Sequence, residues 1–200
     1  MTIEIDHVSK AFDGKQVLQD FCLDISSDSS YAVIGPSGSG KTTLLRIILG
    51  LEKPDGGRVR LLGDYKYSRV NAGVVFQEDR LCEDFSAVQN VAMVSKRISE
   101  RIAREELEKL LPADELDKPV RQLSGGMRRR VCLARALIIP SDVLLLDEPF
   151  TGLDADTRKR CIRYLRDQQG TEPLVITTHS LEGLEFCKTV PVNGTAGQHT

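Results

Sequence analysis

Tryptophan is absent from the 200-residue chain, and aromatic residues make up only 5% of it. An interior without large rings has to be aliphatic, which suits a buried sheet flanked by helices. A basic excess is missing too: 27 Lys and Arg stand against 29 Asp and Glu, for a net charge of −2. A general nucleic-acid binder carries the opposite balance, so no nucleic-acid partner is expected. No stretch approaches the ~18 uncharged apolar residues of a membrane span. The opening residues, MTIEIDHVSK, bring acids where a secretory leader needs an apolar region. Five cysteines, Cys22, Cys82, Cys132, Cys161 and Cys187, form no Cys-x-x-Cys pair. An odd, scattered set is expected to stay as free thiols in a reducing compartment. The chain is therefore expected in the cytosol, where work at a membrane would require another protein to span it.

What is present is a succession of short elements. TIEIDHV and QVLQDFCLDIS alternate in polarity and predict a half-exposed antiparallel pair. SYAVIG is an apolar run ending in Gly35, as expected of a buried parallel strand. A helix follows from Lys41 to Leu49 with Gly50 as its cap. EKPDGG is a turn, RVRLLG another alternating strand, and AGVVFQ a buried strand ending near Gln77. From Glu78 to Arg135 charge crowds in. There ISERIAREELEKLL sets Ala103, Leu107, Leu110 and Leu111 on one helical face, and Pro112 stops it. Buried-strand patterns resume in DVLLLDEP and PLVITTHS, with a surface helix, DADTRKRCIRYLRDQQG, between them. VPVNGTAGQHT reads as a last strand and a loose end.

The expected fold is α/β: a mainly parallel sheet, an N-terminal antiparallel β part, and an inserted helical subdomain. Residues 1–200 form one domain, with 1–77 and 136–200 as its α/β core and 78–135 as the helical subdomain.

GPSGSGKTT, Gly35–Thr43, fits G-x-x-x-x-G-K-[ST] between a strand and a helix. Gly38 and Gly40 let the backbone curl so that several N–H groups point at phosphate oxygens. The helix beginning near Lys41 adds its positive end. Lys41 is expected to reach the β- and γ-phosphates, and the Thr42 hydroxyl to ligate Mg²⁺. The plainer alternative is a flexible Gly/Ser turn. A GTPase would want an Asn-Lys-x-Asp base reader; the nearest string, EKPD, lacks the Asn.

Asp147 and Glu148 follow four apolar residues at the end of a strand, where ligands sit in an open parallel sheet. Neighbours in an extended chain point to opposite sides, so the two carboxylates can take different tasks. Asp147 would hold Mg²⁺ through water, and Glu148 would accept a proton from an attacking water. The alternative is a turn acid after a core strand. His179 ends another apolar strand and could orient that water or stabilise developing charge, unless it is structural. Gln77 ends a third and could ligate Mg²⁺ or water, unless it merely begins a loop.

LSGGM, residues 123–127, opens a second glycine-rich helix. Ser124 is a favourable N-cap, and Gly125 and Gly126 leave first-turn N–H groups open to an anion. The helix carries Val131, Ala134, Leu137 and Ile138 on one face until Pro140. An ordinary capped helix is the alternative. The arginines at 128–130 read as a solvated face.

Together these motifs resemble the ATPase subunit of ABC transporters. GPSGSGKTT matches the Walker A loop, VLLLDE the Walker B strand, LSGGM the family signature, TGLD (Thr151–Asp154) the D-loop, Gln77 the Q-loop and His179 the H-loop. The resemblance implies ATP and Mg²⁺ as ligands. It implies ATP held by Gly35, Pro36, Ser37, Gly38, Ser39, Gly40, Lys41, Thr42 and Thr43, with Phe12 stacking on adenine. Lys41, Glu148 and His179 would be catalytic; Thr42, Gln77 and Asp147 would surround the metal. Two such domains would pack head to tail, so that Ser124, Gly125, Gly126 and Met127 grip the partner's γ-phosphate and Asp154 links the two sites.

A second ATPase subunit, most simply an identical one, is thus implied, with a membrane permease docked on the helical block at the cytoplasmic face and a solute-binding protein beyond it. VFQEDRL and DEPFTGLD look most like bacterial importers of the nitrate, sulfonate and taurine group. A separate-permease exporter, a soluble ABC ATPase of DNA or ribosomes, and an inactive nucleotide-binding scaffold are the rivals. Two features depart from the pattern: Met127 replaces the commoner Gln, and the sequence given stops soon after His179, where regulatory additions of longer relatives would begin.

Overall fold

The computed structural model describes residues 2–62 and 70–192. Three strands, β1 (Thr2–Phe12), β2 (Lys15–Ser26) and β4 (Gly56–Leu62), form an antiparallel sheet in the order β2-β1-β4. A second, all-parallel sheet has the order β5-β6-β7-β3-β8, from β3 (Ser30–Ile34), β5 (Ala72–Val75), β6 (Val143–Asp147), β7 (Leu174–Thr178) and β8 (Lys188–Pro191). Among the described residues there are also five α-helices, α1 (Lys41–Ile48), α2 (Ala87–Ala92), α3 (Glu100–Glu108), α4 (Gly125–Leu137) and α5 (Ala155–Gln169), and two short 3-10 helices, Ala113–Glu115 and Val120–Gln122.

The sheet patterns follow from what covers each face. β1 alternates because one face is wet: Ile3, Ile5 and Val8 point inward. β6 and β7 do not alternate; every residue of both is buried. Their side chains divide with period two between two cores. Leu144, Leu146, Leu174 and Ile176 face the side of α4 and α5. Val143, Leu145 and Val175 face α1 and the antiparallel sheet. The parallel sheet is the middle layer of a sandwich, and its carboxyl ends at Ile34, Asp147 and Thr178 fall on neighbouring strands. That adjacency gathers three separate loops at one edge.

The expected fold class is the one observed. Several boundaries differ. α3 is shorter than its periodicity predicts, because Ser99 caps its start and the chain turns at Lys109. Leu110 and Leu111 lie beyond its last turn, yet remain buried. α2 carries too few residues to show a period. Its identity rests on a capping box between Ser86 and Gln89 and on Asn90, a fully buried amide that bonds the backbone of Cys82, Phe85 and Ser86. α5 is a surface helix as expected, and it is amphipathic, burying Cys161, Ile162, Tyr164 and Leu165 on one face. The last strand begins earlier than expected, at Lys188, and the loose end from 193 onward lies outside the described residues.

Candidate functional site

The loop from Gly35 to Gly40 joins β3 to α1. Gly38 and Gly40 take φ of +76° and +96°, where a side chain would be strained. At Gly40 a Cβ would also lie 2.4 Å from the Val17 carbonyl oxygen, so only glycine lets β2 approach this closely. Lys41 is buried, and its Nζ donates to the carbonyls of Gly35 at 2.8 Å and Pro36 at 3.0 Å. The Ser39 hydroxyl is buried with no hydrogen-bond partner among the described residues. An unpaired buried hydroxyl is costly, and a loop of inward N–H groups is where an anion would satisfy it.

Thr42, at the start of α1, donates from Oγ1 to Asp147 Oδ2 at 2.7 Å. Thr177 donates to the other oxygen, Oδ1, at 2.5 Å. The Asp147 carboxylate is thereby fixed on both sides, 4% exposed, at the end of β6.

Glu148 corrects the extended-strand argument. Its φ is +48°, so the chain leaves the strand at this residue, and the two carboxylates are separated by that bend and not by strand alternation. The bend is held by the Glu148 N–H, which donates to Thr177 O at 3.1 Å and Thr177 Oγ1 at 3.0 Å. It brings Glu148 Oε1 within 2.7 Å of His179 Nε2, and Oε2 within 3.1 Å of the Thr151 hydroxyl.

Lys41, Thr42, Thr43, Gln77, Glu148 and His179 line one cavity of about 200 Å³, together with Ser37, Gly38, Gly40 and Val17. A larger cleft of about 450 Å³ runs along α5, but it contains neither the glycine loop nor the carboxylates. The smaller cavity brings the glycine loop together with the Glu148 carboxylate and the His179 imidazole.

Other expected residues stand apart from it. Phe12 is 43% exposed at the end of β1, paired with Lys15, and does not line the cavity. Ser124 caps α4 by accepting the Met127 N–H at 3.2 Å. A Cβ at Gly125 would meet nothing within 4 Å, whereas one at Gly126 would stand 3.2 Å from Leu153 Cδ2. The glycine-rich start of α4 is thus open on one side and packed against the Thr151–Asp154 turn on the other. Asp154 is not free: it caps α5, accepting from the N–H groups of Asp156 and Thr157 at 3.1 and 2.9 Å. Bonding from Thr157 holds its carboxyl below the usual range. None of Ser124, Gly125, Gly126, Met127 or Asp154 lines the cavity.

The reading of Arg128, Arg129 and Arg130 as a solvated face is wrong. Arg129 is 13% exposed and donates to the carbonyls of Phe76 and Gln77 at 2.7 and 2.6 Å. Arg130 donates to Gly126 O and Leu110 O, and Arg128 pairs with Asp79 and Glu83. Sequence reasoning also missed Thr177 and Thr151. Thr177 shares strand parity with His179, a signal available in principle.

No cluster of three His, Cys, Asp or Glu occurs among the described residues. The donors at hand, the Thr42 hydroxyl, the Asp147 carboxylate and the Gln77 amide, are hard oxygens. Such a sparse oxygen set fits Mg²⁺, which keeps water and phosphate ligands of its own.

This fold and this loop define a phosphate-loop nucleotide-binding cassette. The sequence profile described as "ABC transporter" matches residues 18–151. The chain belongs to the ABC transporter family. The sulfate/thiosulfate import ATP-binding protein CysA of Thermosynechococcus vestitus is 42% identical to it, over 96% of this chain and 61% of that protein. The CysA of Mesostigma viride is 40% identical, over 96% and 59%. The chain thus spans about three fifths of the length of the curated relatives it matches. Among solved structures, the dimeric post-hydrolysis state of the ATP-binding cassette MJ0796 bound to ADP and Pi superposes with a TM-score of 0.82 at 28% identity, covering 96% of this chain and 94% of that one.

Proposed function

We propose that the chain binds and hydrolyses ATP and so energises a membrane transporter, most simply an importer. The observation that carries this is the Glu148 carboxylate, held by His179 and Thr151 in the same cavity as the Lys41 loop. On this reading Lys41 exchanges the Gly35 and Pro36 carbonyls for phosphate oxygens. Gly35 through Thr43 wrap the phosphates with backbone N–H groups, and Phe12 meets the base. Glu148 accepts the proton of the attacking water, while His179 orients that carboxylate and stabilises developing charge. Thr42, Asp147 and Gln77 would hold Mg²⁺, which supplies charge neutralisation between the phosphates.

The start of α4, outside the cavity, serves a nucleotide on a second copy: Ser124, Gly125, Gly126 and Met127 grip its γ-phosphate, and Asp154 links the sites. The dimeric ADP- and Pi-bound cassette that this chain resembles supports the reading. The partners would be a second ATPase subunit, a membrane permease seated on a mobile helical block at 78–135, and a solute-binding protein. Among the described residues no helix is long and apolar enough to cross a membrane, so the permease would provide the span, with this chain on its cytoplasmic face. For cargo, the CysA relatives favour sulfate or thiosulfate over the nitrate, sulfonate and taurine group suggested by the short motifs. All of these carry small oxyanions or their sulfonate equivalents, so an oxyanion is the shared proposal.

A phosphate-release assay with ATP and Mg²⁺ tests the reading. The wild-type chain should turn over, and Lys41→Ala should not. Equal release from both would refute it.

A further inference from the structure

Between the cavity and α4 runs one segment, 76–80, and α4 grips it with four side chains. Arg129 donates Nη1 to Phe76 O at 2.7 Å and Nη2 to Gln77 O at 2.6 Å. Cys132 Sγ donates to Asp79 O at 3.1 Å, and Arg135 donates to Arg80 O at 2.9 Å. Arg128 Nε lies 3.5 Å from Asp79 Oδ2. Arg129 dominates. Its two bonds are short and charge-assisted, the one to Phe76 O partly buried and the one to Gln77 O exposed, and its planar fork spans two successive carbonyls. Those carbonyls belong to the first residues after β5, and the second of them is Gln77, whose side chain lines the cavity.

Ser124 caps the start of the same helix, five residues before Arg129. Ordinary helix geometry makes that little more than one rigid turn. A shift of the glycine-rich start therefore moves the Arg129 fork, and the fork moves Gln77.

We infer that Arg129 is a positioning residue that couples Gln77, at this chain's own nucleotide cavity, to the Ser124–Gly126 helix start that meets the partner's nucleotide. The inference rests on the proposed ATPase reading. Its physical content is that Arg129 touches no reacting atom. It sets where Gln77 stands when the second copy engages α4. Losing the fork should leave ATP able to enter the cavity while slowing the step that needs Gln77 in register.

Arg129→Gln, Arg129→Lys and wild type are compared by steady-state ATP hydrolysis, thermal melting and hydrogen exchange. Losing two charge-assisted bonds predicts a kcat about tenfold or more lower for Arg129→Gln, with KM for ATP changed less than about threefold. Arg129→Lys, which keeps the charge but not the fork, should fall between. A non-hydrolysable ATP analogue should slow amide exchange across both 76–80 and 125–128 in wild type, and only across 76–80 in Arg129→Gln. Unchanged kcat in Arg129→Gln overturns the inference. So does an equal loss in both variants accompanied by lowered melting temperatures, which would make Arg129 a tether alone. If wild type binds the analogue but does not hydrolyse ATP itself, the ATPase reading fails. The exchange pattern then decides the coupling by itself, and slowing at 125–128 in Arg129→Gln would overturn it.

Discussion

His179 Nε2 stands 2.7 Å from Glu148 Oε1, although the two residues end different strands. Parallel pairing of β6 with β7 creates the contact: Asp147 is opposite Thr177, and each chain turns off the sheet one or two residues later. The contact holds one carboxylate oxygen while the Thr151 hydroxyl holds the other, so the two together orient the group at the bend. Removing the imidazole in His179→Ala should lower kcat by about 10²–10⁴-fold, the usual worth of a positioned acid–base pair. ATP affinity, measured by equilibrium binding, should stay within a few fold. A kcat within twofold of wild type would show that Glu148 needs no such partner.

The five thiols should divide by burial. Burial pushes Cys132 up to about 12, with the Asp79 charge adding to it. Burial likewise raises Cys161 to about 11 and Cys187 to about 12. Cys22 and Cys82 are exposed. A thiol must ionise to attack, so at pH 8 a disulfide reagent should titrate two groups quickly in the native protein and all five after denaturation. Rapid reaction of a third would contradict the packing of α4, α5 or the segment before β8.

Asp55 straps β1 to the turn before β4. It accepts the Ala11 N–H at 2.8 Å and the Lys10 ammonium at 3.1 Å, and these hold its carboxyl below the usual range. A depressed folded pKa contributes stability above the unfolded value, about 3.9 for Asp. That contribution is lost as pH falls through the folded pKa. The melting temperature of wild type should therefore drop more steeply below about pH 4 than that of Asp55→Asn. Parallel curves would remove Asp55 from the acid limb.

Tyr164 ties α5 to α3. Its hydroxyl donates to Glu106 Oε2 at 3.1 Å, and burial, reinforced by the Glu106 charge, raises its pKa strongly. Glu106 retains the Lys109 ammonium when the phenol is gone. Tyr164→Phe should thus cost only about 1 kcal/mol, or roughly 2–4 °C in melting temperature. A loss several times larger would mean that the hydroxyl organises more of the helical block than this bond.

The phosphate loop, the ends of β6 and β7 and the capped start of α4 were legible in the sequence because each is a local pattern: a glycine spacing, an apolar run closed by a polar residue, a serine before two glycines. What was illegible depends on distance along the chain. Arg129 bonds carbonyls 53 and 52 residues away, and no periodicity marks an arginine that will meet Phe76 and Gln77. Polarity alone therefore sent it to the surface. Glu148 was misjudged for a different reason. Strand alternation was extended one residue too far, past the point where Thr177 pulls the backbone into a left-handed bend. Asp154 shows a third case, a carboxylate whose nearest use, capping α5, is local and coexists with the interface role proposed for it.

The central claim is that two copies of this chain enclose each ATP, one through the Lys41 loop and the other through Ser124. Glu148→Gln, loaded with ATP and Mg²⁺, tests it most directly by sedimentation. The account predicts a stable dimer that reverts to monomer when ATP is withdrawn or when Ser124 is replaced by arginine in the same background. A species that binds ATP yet sediments as a monomer at every protein concentration, both free and with its membrane partner, would contradict it.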